Sequence, residues 1–418
     1  MSVSSANSMK PKHSPQLVFA LITLFLEVMG IALSNPILPK LINRFLGDLS
    51  LSAYYFGAVT TTYALTIFIF SPIQGALSDR FGRKPLLLFG LFGTGVSYLG
   101  LAIAPNLPWI FAATIIDGIT GASVAVAFAY IADVSSASNR AKNFGLAGAT
   151  FGVGWVLGPA LGGLLSIWGL RLPFAIAAIV TFANLLYGFL FVPESHKKEN
   201  RRPFSWASAN PVASMWLLRK NSIILCLAVI ILFNDLAVQC FISTWVLFTT
   251  YKFQWTTVEV GLSLALLGIV TAVVMGGIVQ PMVHSFGEKK TILIGLTLSL
   301  IGYLLYAIVN SGRLMYWIII LNGFDFVVKP TAQGLLSNQL SDQEQGILSG
   351  ALASQAAFTN IIGPLLATNL FGYFISANAP FRLPEVSLLL GSLLFGLALW
   401  LAFTTFSKQS FEDKIPLQ

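Results

Sequence analysis

Five ionisable side chains lie inside stretches of this chain that are otherwise apolar: Glu27, Asp117, Asp235, Asp325 and Lys329. A charge in such surroundings costs at least about 2.5–3.5 kcal/mol on the mildest insertion scales, so it is a functional candidate by default. A carboxylate there can take up and release a proton, or neutralise a cationic group on a solute. A lysine can neutralise an acid or hold an anionic group. Asp325 and Lys329 are four apart, a spacing that lets them face each other on a helix, and Asn322 and Gln333 extend the same stripe. Asp235, Gln239 and Ser243 make a second stripe, Thr23, Glu27 and Ser34 a third, and Gln355, Thr359 and Asn360 add further polar groups. Lipid excludes such groups, so the stripes are expected to face one shared water-filled cavity. Structural roles compete at each position. Glu27 could bond a neighbouring helix, Asp117 sits in a glycine-rich packing segment, and Lys329 could simply neutralise Asp325.

Other chemistry finds little support. His13, His196 and His284 all fall outside the apolar stretches. Cys226 and Cys240 are fourteen residues apart, about 21 Å along a helix and far beyond disulfide reach. There is no metal-ligand spacing, no phosphate-binding loop and no nucleophile–base pair. The expectation is a chain with no metal, no cofactor and no enzymatic step, driven by an ion gradient. One proton descending 100 mV yields about 2.3 kcal/mol, enough for modest uphill movement of a solute.

The elements that must position these groups follow from composition. Of 418 residues, 56% are hydrophobic and 10% charged, against about 25% charged in soluble domains. A single water-soluble core stops growing near about 300 residues, so a chain this long and apolar needs lipid as its second solvent. A helix crosses the hydrocarbon in about 20 apolar residues. Twelve such spans are expected, at 17–39, 52–75, 85–104, 108–131, 143–166, 172–192, 222–248, 257–280, 291–309, 314–337, 346–372 and 385–406. The net charge of +8 would suggest nucleic acid in a soluble protein. Here seventeen Lys and Arg residues fall on the face that carries both termini, six fall on the other, and Lys329 lies within a span. That bias reads as a topology signal with both termini cytoplasmic, and no nucleic-acid partner is expected.

A shift of 205 residues superimposes three landmarks: Phe81-Gly82 on Phe286-Gly287, Gly158-Pro159 on Gly363-Pro364, and Asp117-Gly118 on Asn322-Gly323. The chain therefore reads as a duplicated six-helix unit, with halves at 1–192 and 222–418 and a charged, Pro-containing cytoplasmic linker at 193–221. Parallel repeats of this kind hold a solute site at the interface of the halves.

The loop after span two reads Gly75-Ala-Leu-Ser-Asp79-Arg-Phe-Gly82-Arg83-Lys84. Glycines permit a tight turn and close helix approach, Asp79 can face a helix N-terminus, and Arg83 can pair with Asp133 at the end of span four. This loop strongly resembles the signature loop of the major facilitator superfamily, in which it latches the two halves on the cytoplasmic side. Span five, with Gly148, Gly152, Gly154, Gly158-Pro159 and Gly162-Gly163, resembles the pattern of the antiporter branch, though small residues at this spacing also serve plain helix packing. Span one (Leu21 to Ile31, then Pro36-Ile-Leu-Pro39), Asp117-Gly118-Ile-Thr-Gly121-Ala, Ile131-Ala-Asp133 through Arg140, Trp245-Val-Leu-Phe248 and Val260 through Ala265 resemble the tetracycline-exporter-like group, so the likeness covers nearly the whole chain.

The resemblance implies an all-α membrane protein of twelve transmembrane helices in two pseudo-symmetric halves, acting as a monomer in a bacterial inner membrane. Its partners would be a small-molecule solute, protons and the lipid bilayer. It departs from the tetracycline exporters at three positions. They use buried acids in spans one, three and nine, and an arginine in span four. Glu27 matches the first, but Ser97, Ser299 and Thr114 stand near the other places. Tetracycline is therefore not carried over as the substrate, and Lys329 favours a polar, zwitterionic or anionic solute. The leading expectation is proton-coupled export by alternating access, with Glu27 and one of Asp235 or Asp325 exchanging proton and solute. The alternatives are an importer or exchanger of a nutrient or metal-chelating compound (siderophore, amino acid or nucleoside), and a non-transporting receptor or scaffold.

Overall fold

The computed structural model describes residues 15–121, 123–136, 138–196, 199, 201, 218, 221–341 and 344–412. Most of the expected linker lies outside the described residues. Among those residues the chain is helical throughout, with no strand. In lipid every backbone N–H and C=O must be satisfied within its own segment, which a helix achieves and an open sheet edge does not.

Span one runs Pro15–Ser34 and, after a short turn, Leu38–Leu46; span two is Leu49–Phe81, span three Arg83–Ile103, span five Arg140–Leu165 and span six Leu172–Phe191. Span seven is Ser222–Phe253, span nine Glu288–Ile308, span eleven Gln345–Ile375 and span twelve Val386–Glu412. Span eight is Thr257–Val273 and Val279–Phe286 around a π-helical turn at Val274–Ile278. Eleven of the spans are unbroken enough, long enough and apolar enough to cross a bilayer by those measures alone. The twelfth is span ten, divided into Gly312–Asn322, a 3₁₀ turn at Gly323–Val327, and Val328–Ser337. Span four comprises Leu107–Thr120 and Ser123–Val134, with residue 122 outside the described residues. Gly82 and Gly287, 205 residues apart, hold φ of 109° and 77° at the tight turns after spans two and eight. Those backbone angles require glycine.

Short polar caps start several spans. Asp48 accepts from the Leu51 N–H at 3.1 Å, Asn106 from Trp109 at 3.2 Å and Asn221 from Ile224 at 2.8 Å, while Thr256 and Glu259 form a capping box on span eight.

Within the first half, span one packs on span five and span three on spans four and six; within the second, span seven packs on spans eleven and twelve and span nine on span twelve. The halves meet through span two against span eleven and span five against span eight. That contact is confined to the end remote from the termini. There the Ser50 hydroxyl donates to the Gly372 carbonyl at 2.7 Å, the Lys40 ammonium to the Trp255 carbonyl at 2.7 Å and the Thr61 hydroxyl to the Ile361 carbonyl at 3.1 Å. A Cβ added to Gly163 would come within 2.8 Å of the Thr257 carbonyl. Toward the end that carries the termini the same four spans part. A Cβ on Gly75, Gly145, Gly148, Gly152, Gly276, Gly277 or Gly346 would meet nothing within 4 Å. The close approach expected of Gly75 is thus absent in this conformation, because its helix has no partner at that depth.

Candidate functional site

At the terminus-bearing end, the loop between spans two and three is tied by charge. Arg83 lies 2.6 Å from Asp79 and 3.3 Å from Asp133, and donates to the Ser78 hydroxyl at 2.5 Å. The Arg83–Asp133 pair is the one expected from sequence, but among the described residues its whole network lies in the first half, so the expected latch between the halves is not formed in this conformation. Asp79 does not sit at a helix N-terminus, because Arg83 claims it directly. Glu194 takes that place: its carboxylate accepts from the backbone N–H of Arg83 at 2.8 Å and of Lys84 at 3.2 Å, at the start of span three. The first N–H groups of a helix have no intrahelical partner, and a carboxylate there is favoured by the dipole. Residues after span six complete the network. The Tyr130 hydroxyl donates to the Pro193 carbonyl at 2.9 Å, the Ser195 hydroxyl to Asp133 at 3.3 Å, and His196 Nδ1 lies 3.6 Å from Asp133. Sequence reasoning missed Glu194 since it lies 111 residues from Arg83 and no local spacing links them.

Deeper in the first half, Glu27 is 3% exposed, with its carboxylate and that of Asp117 acting electrostatically on the same two tyrosines, Tyr63 and Tyr98. Asp117 accepts from the Thr94 hydroxyl at 2.9 Å, so span four is bonded to span three. Asp117, Ser97, Thr114, Tyr63, Tyr98 and Asn35 line a cavity of about 100 Å³. The Tyr98 hydroxyl is buried there without a hydrogen-bond partner among the described residues. A tyrosine hydroxyl in an apolar span needs a partner, and that signal could have singled out Tyr63 and Tyr98. The stripe on span one does not face the cavity as a whole: Thr23 is fully buried and accepts from Asn184 of span six at 2.9 Å.

In the second half the expected Asp325–Lys329 pair does not form. Lys329 donates to both carboxylate oxygens of Asp235 on span seven, at 3.0 and 2.9 Å. The reason is the 3₁₀ turn at Gly323–Val327, which advances about 120° per residue instead of about 100° and so rotates Asp325 out of register with Lys329. Asp325 and Asn322 are instead buried at 3% and 1% exposure. Asn322 packs against Gly302 of span nine, and Tyr303 and Tyr306 lie within electrostatic reach of Asp325. Asn322 lies within hydrogen-bonding reach of Tyr303, while Asp325 Oδ1 has no hydrogen-bond partner among the described residues. Gln355 also leaves the expected cavity set: it is 4% exposed and donates to the Ala228 carbonyl of span seven at 3.1 Å. Gln239 remains beside the pair and bonds the exposed Asn360 of span eleven. Asp235, Gln239, Lys329 and Asn360 thus form one polar wall across spans seven, ten and eleven, and Glu27 and Asp117 form a separate buried group.

Gly154, Gly158 and Gly162 bring span five onto span one. A Cβ on Gly158 would lie 2.6 Å from Ala32 Cβ and from the Met29 carbonyl, and one on Gly162 would lie 2.6 Å from the Leu33 carbonyl. Pro159 sits inside this continuous helix, and its carbonyl approaches Gly261 of span eight. The motif therefore joins the span that carries Glu27 to the contact that closes the halves.

The Major Facilitator Superfamily model matches residues 20–282 and 227–417. Similar relatives include the tetracycline resistance protein, class C, of Escherichia coli, 39% identical over 360 residues that cover 86% of this chain and 90% of the relative. The class H protein of Pasteurella multocida is 36% identical over 364 residues, 86% and 90% of the two chains. Among solved structures, a bacterial homologue of the human lysosomal transporter Spinster, in an inward-facing and occupied conformation, aligns with a TM-score of 0.76 at 16% identity, covering 98% of this chain and 100% of that one. The likeness to that structure is one of fold alone. A duplicated helical bundle that closes at one end, a charge-tied loop at the other, and matches over most of the length agree: this transporter chain belongs to the Major Facilitator Superfamily.

Proposed function

We propose that the chain is a proton-coupled exporter of a small organic solute, working by alternating access between halves at 1–192 and 222–418 joined by a cytoplasmic linker at 193–221. The observation that carries this reading is the one-sided contact: spans two and five meet spans eleven and eight at the end remote from the termini and part at the other. The Lys and Arg bias assigns the open end to the cytoplasm, and the likeness to bacterial relatives supports an inner membrane. One chain holds the whole path, so a monomer suffices, and no covalent step or nucleic-acid partner is invoked. Export is supported by the relatives' names: a membrane transporter most simply confers resistance to an internally acting compound by moving it out.

Glu27 and Asp117 lie buried beside Tyr63 and Tyr98 and serve as proton carriers. Protonation lowers the cost of burying a carboxylate while the carrier changes face. Asp235, Gln239, Lys329 and Asn360 form the solute wall, while Asn322, Asp325 and Gln355 support it from behind. The latch of Asp79, Arg83, Asp133 and Glu194 stabilises one end of the cycle.

The test is proton flux in proteoliposomes holding a lumenal pH dye, with tetracycline and a panel of amino acids and nucleosides as probes. Wild type should move protons on addition of a transported probe, and Glu27→Gln should reduce that flux at least about tenfold while leaving probe exchange without a pH gradient intact. Full coupled flux in the variant would remove Glu27 from the mechanism. The electroneutral Asp235–Lys329 pair also suits an importer or exchanger of a polar nutrient. Greater probe accumulation in expressing cells than in empty ones would establish that direction instead.

A further inference from the structure

The second half carries a charge pair with no counterpart in the first. A shift of 205 residues takes Asp235 to Gly30 and Lys329 to Val124, so the duplicated architecture does not require it. The pair also joins two spans without closing either end of the molecule. Its partners are unequally covered, with the Lys329 side chain 37% exposed and that of Asp235 12%. An ammonium has three N–H donors, and Asp235 takes two of them. Lipid would exclude this group, so its exposed side faces the water-filled space between the halves. One helical turn along span seven, the Gln239–Asn360 bond leaves a carbonyl oxygen of Gln239 and an amide nitrogen of Asn360 as further acceptor and donor.

A solute reaching this wall meets a closed, neutral pair. An anion that claims Lys329 strands Asp235, and a cation that claims Asp235 strands Lys329. Each leaves a charge unpaired in a poorly solvated place, which is the outcome a partly buried pair resists most. A solute carrying both charges can part the pair and satisfy both members, with no change in net charge. Resting on the transport reading above, we propose that Asp235 and Lys329 recognise a zwitterionic solute: its ammonium replaces Lys329 at Asp235, and its carboxylate replaces Asp235 at Lys329. The closed pair rejects singly charged compounds because binding them breaks a bond without replacing it.

The experiment measures thermal stabilisation of the purified full chain by matched sets of compounds. Leucine, phenylalanine and γ-aminobutyric acid are each compared with their amide, which keeps only the cation, and their N-acetyl derivative, which keeps only the anion. At least one zwitterion should half-saturate at a concentration at least tenfold below both of its derivatives. Asp235→Asn and Lys329→Gln should each erase that preference. The neutral double variant D235N/K329Q keeps the fold readable by its unliganded melting temperature, and it too should show no preference. The charge-exchanged D235K/K329D should recover part of it, since a zwitterion can bind reversed, a recovery that a purely structural pair would not give. Equal binding across each set, tighter binding of a singly charged member, or no zwitterion binding at all would overturn the proposal. Proton flux with tetracycline as probe separates this outcome from failure of transport: flux that survives K329Q removes only this site, whereas wild type that moves no protons with any probe removes the exporter reading itself.

Discussion

At the scale of single residues, the charges in this protein are placed by partners that sequence spacing does not reveal. Lys329 prefers Asp235, 94 residues away, to the acid one turn back, and Arg83 and Lys84 present their backbone N–H groups to Glu194, more than 100 residues on. Both choices follow from the same rule, that a charge or orphan donor held away from water takes the nearest group that completes its hydrogen bonds. Glu194 is open to a direct check. Replacing it with alanine uncaps span three and should lower stability by about 1 kcal/mol, the ordinary worth of a helix cap. Thermal unfolding in detergent measures this. A melting temperature equal to wild type would mean that water serves those donors equally well.

At the scale of elements, span five shows how one helix can be packed at one end and free at the other. Its glycines at 154, 158 and 162 have neighbours at van der Waals distance or closer, whereas those at 145, 148 and 152 face open space. The two groups should respond oppositely to added side chains. Gly158→Val forces a branched side chain into the backbone of span one and should cost about 1–3 kcal/mol or more, as overpacking does. Gly152→Ala meets nothing and should be neutral, or stabilising by about 0.5–1 kcal/mol through helix propensity. Melting temperatures of the two variants decide this, and equal losses would mean that span five is packed along its whole length. The break in span ten matters at this scale too. It sets the phase of every polar residue that follows, which is why Asn322, Asp325 and Lys329 do not share a face.

At the scale of the whole molecule, the two halves are helical bundles that touch at one end, chiefly along spans two, five, eight and eleven. If transport requires them to rock, locking that end should stop it. Gly57 and Thr368 face each other across the contact between spans two and eleven, and a Cβ on Gly57 would stand 3.1 Å from that of Thr368, a few tenths short of the approximately 3.5–4.5 Å of a disulfide. The pair Gly57→Cys/Thr368→Cys should cross-link under oxidation, arrest probe-driven proton flux, and recover on reduction. The native thiols, Cys226 and Cys240, are buried and should not interfere. Undiminished flux in a fully cross-linked sample would rule out rocking about this contact.

The sequence by itself determined the architecture. Apolar length dictates spans, because the bilayer admits few other structures. A fixed offset of 205 residues exposes the duplication, and the Arg83–Asp133 ion pair was legible because its motif is local on one side and ends a span on the other. It also identified which residue types matter, since a charge inside an apolar run is conspicuous wherever its helix points. What it could not supply was which charges meet. Helical spacing assumes an unbroken 100° step, and a single 3₁₀ turn in span ten moved Lys329 from Asp325 to Asp235. Gln355 and Thr23 carry the polarity of cavity residues, yet each is bonded to a neighbouring helix, because polarity demands a partner without naming it. Which end of the bundle is closed was likewise decided only in three dimensions. The same glycine spacing occurs where span five is packed and where it is bare, and only the positions of spans one and eight distinguish the two.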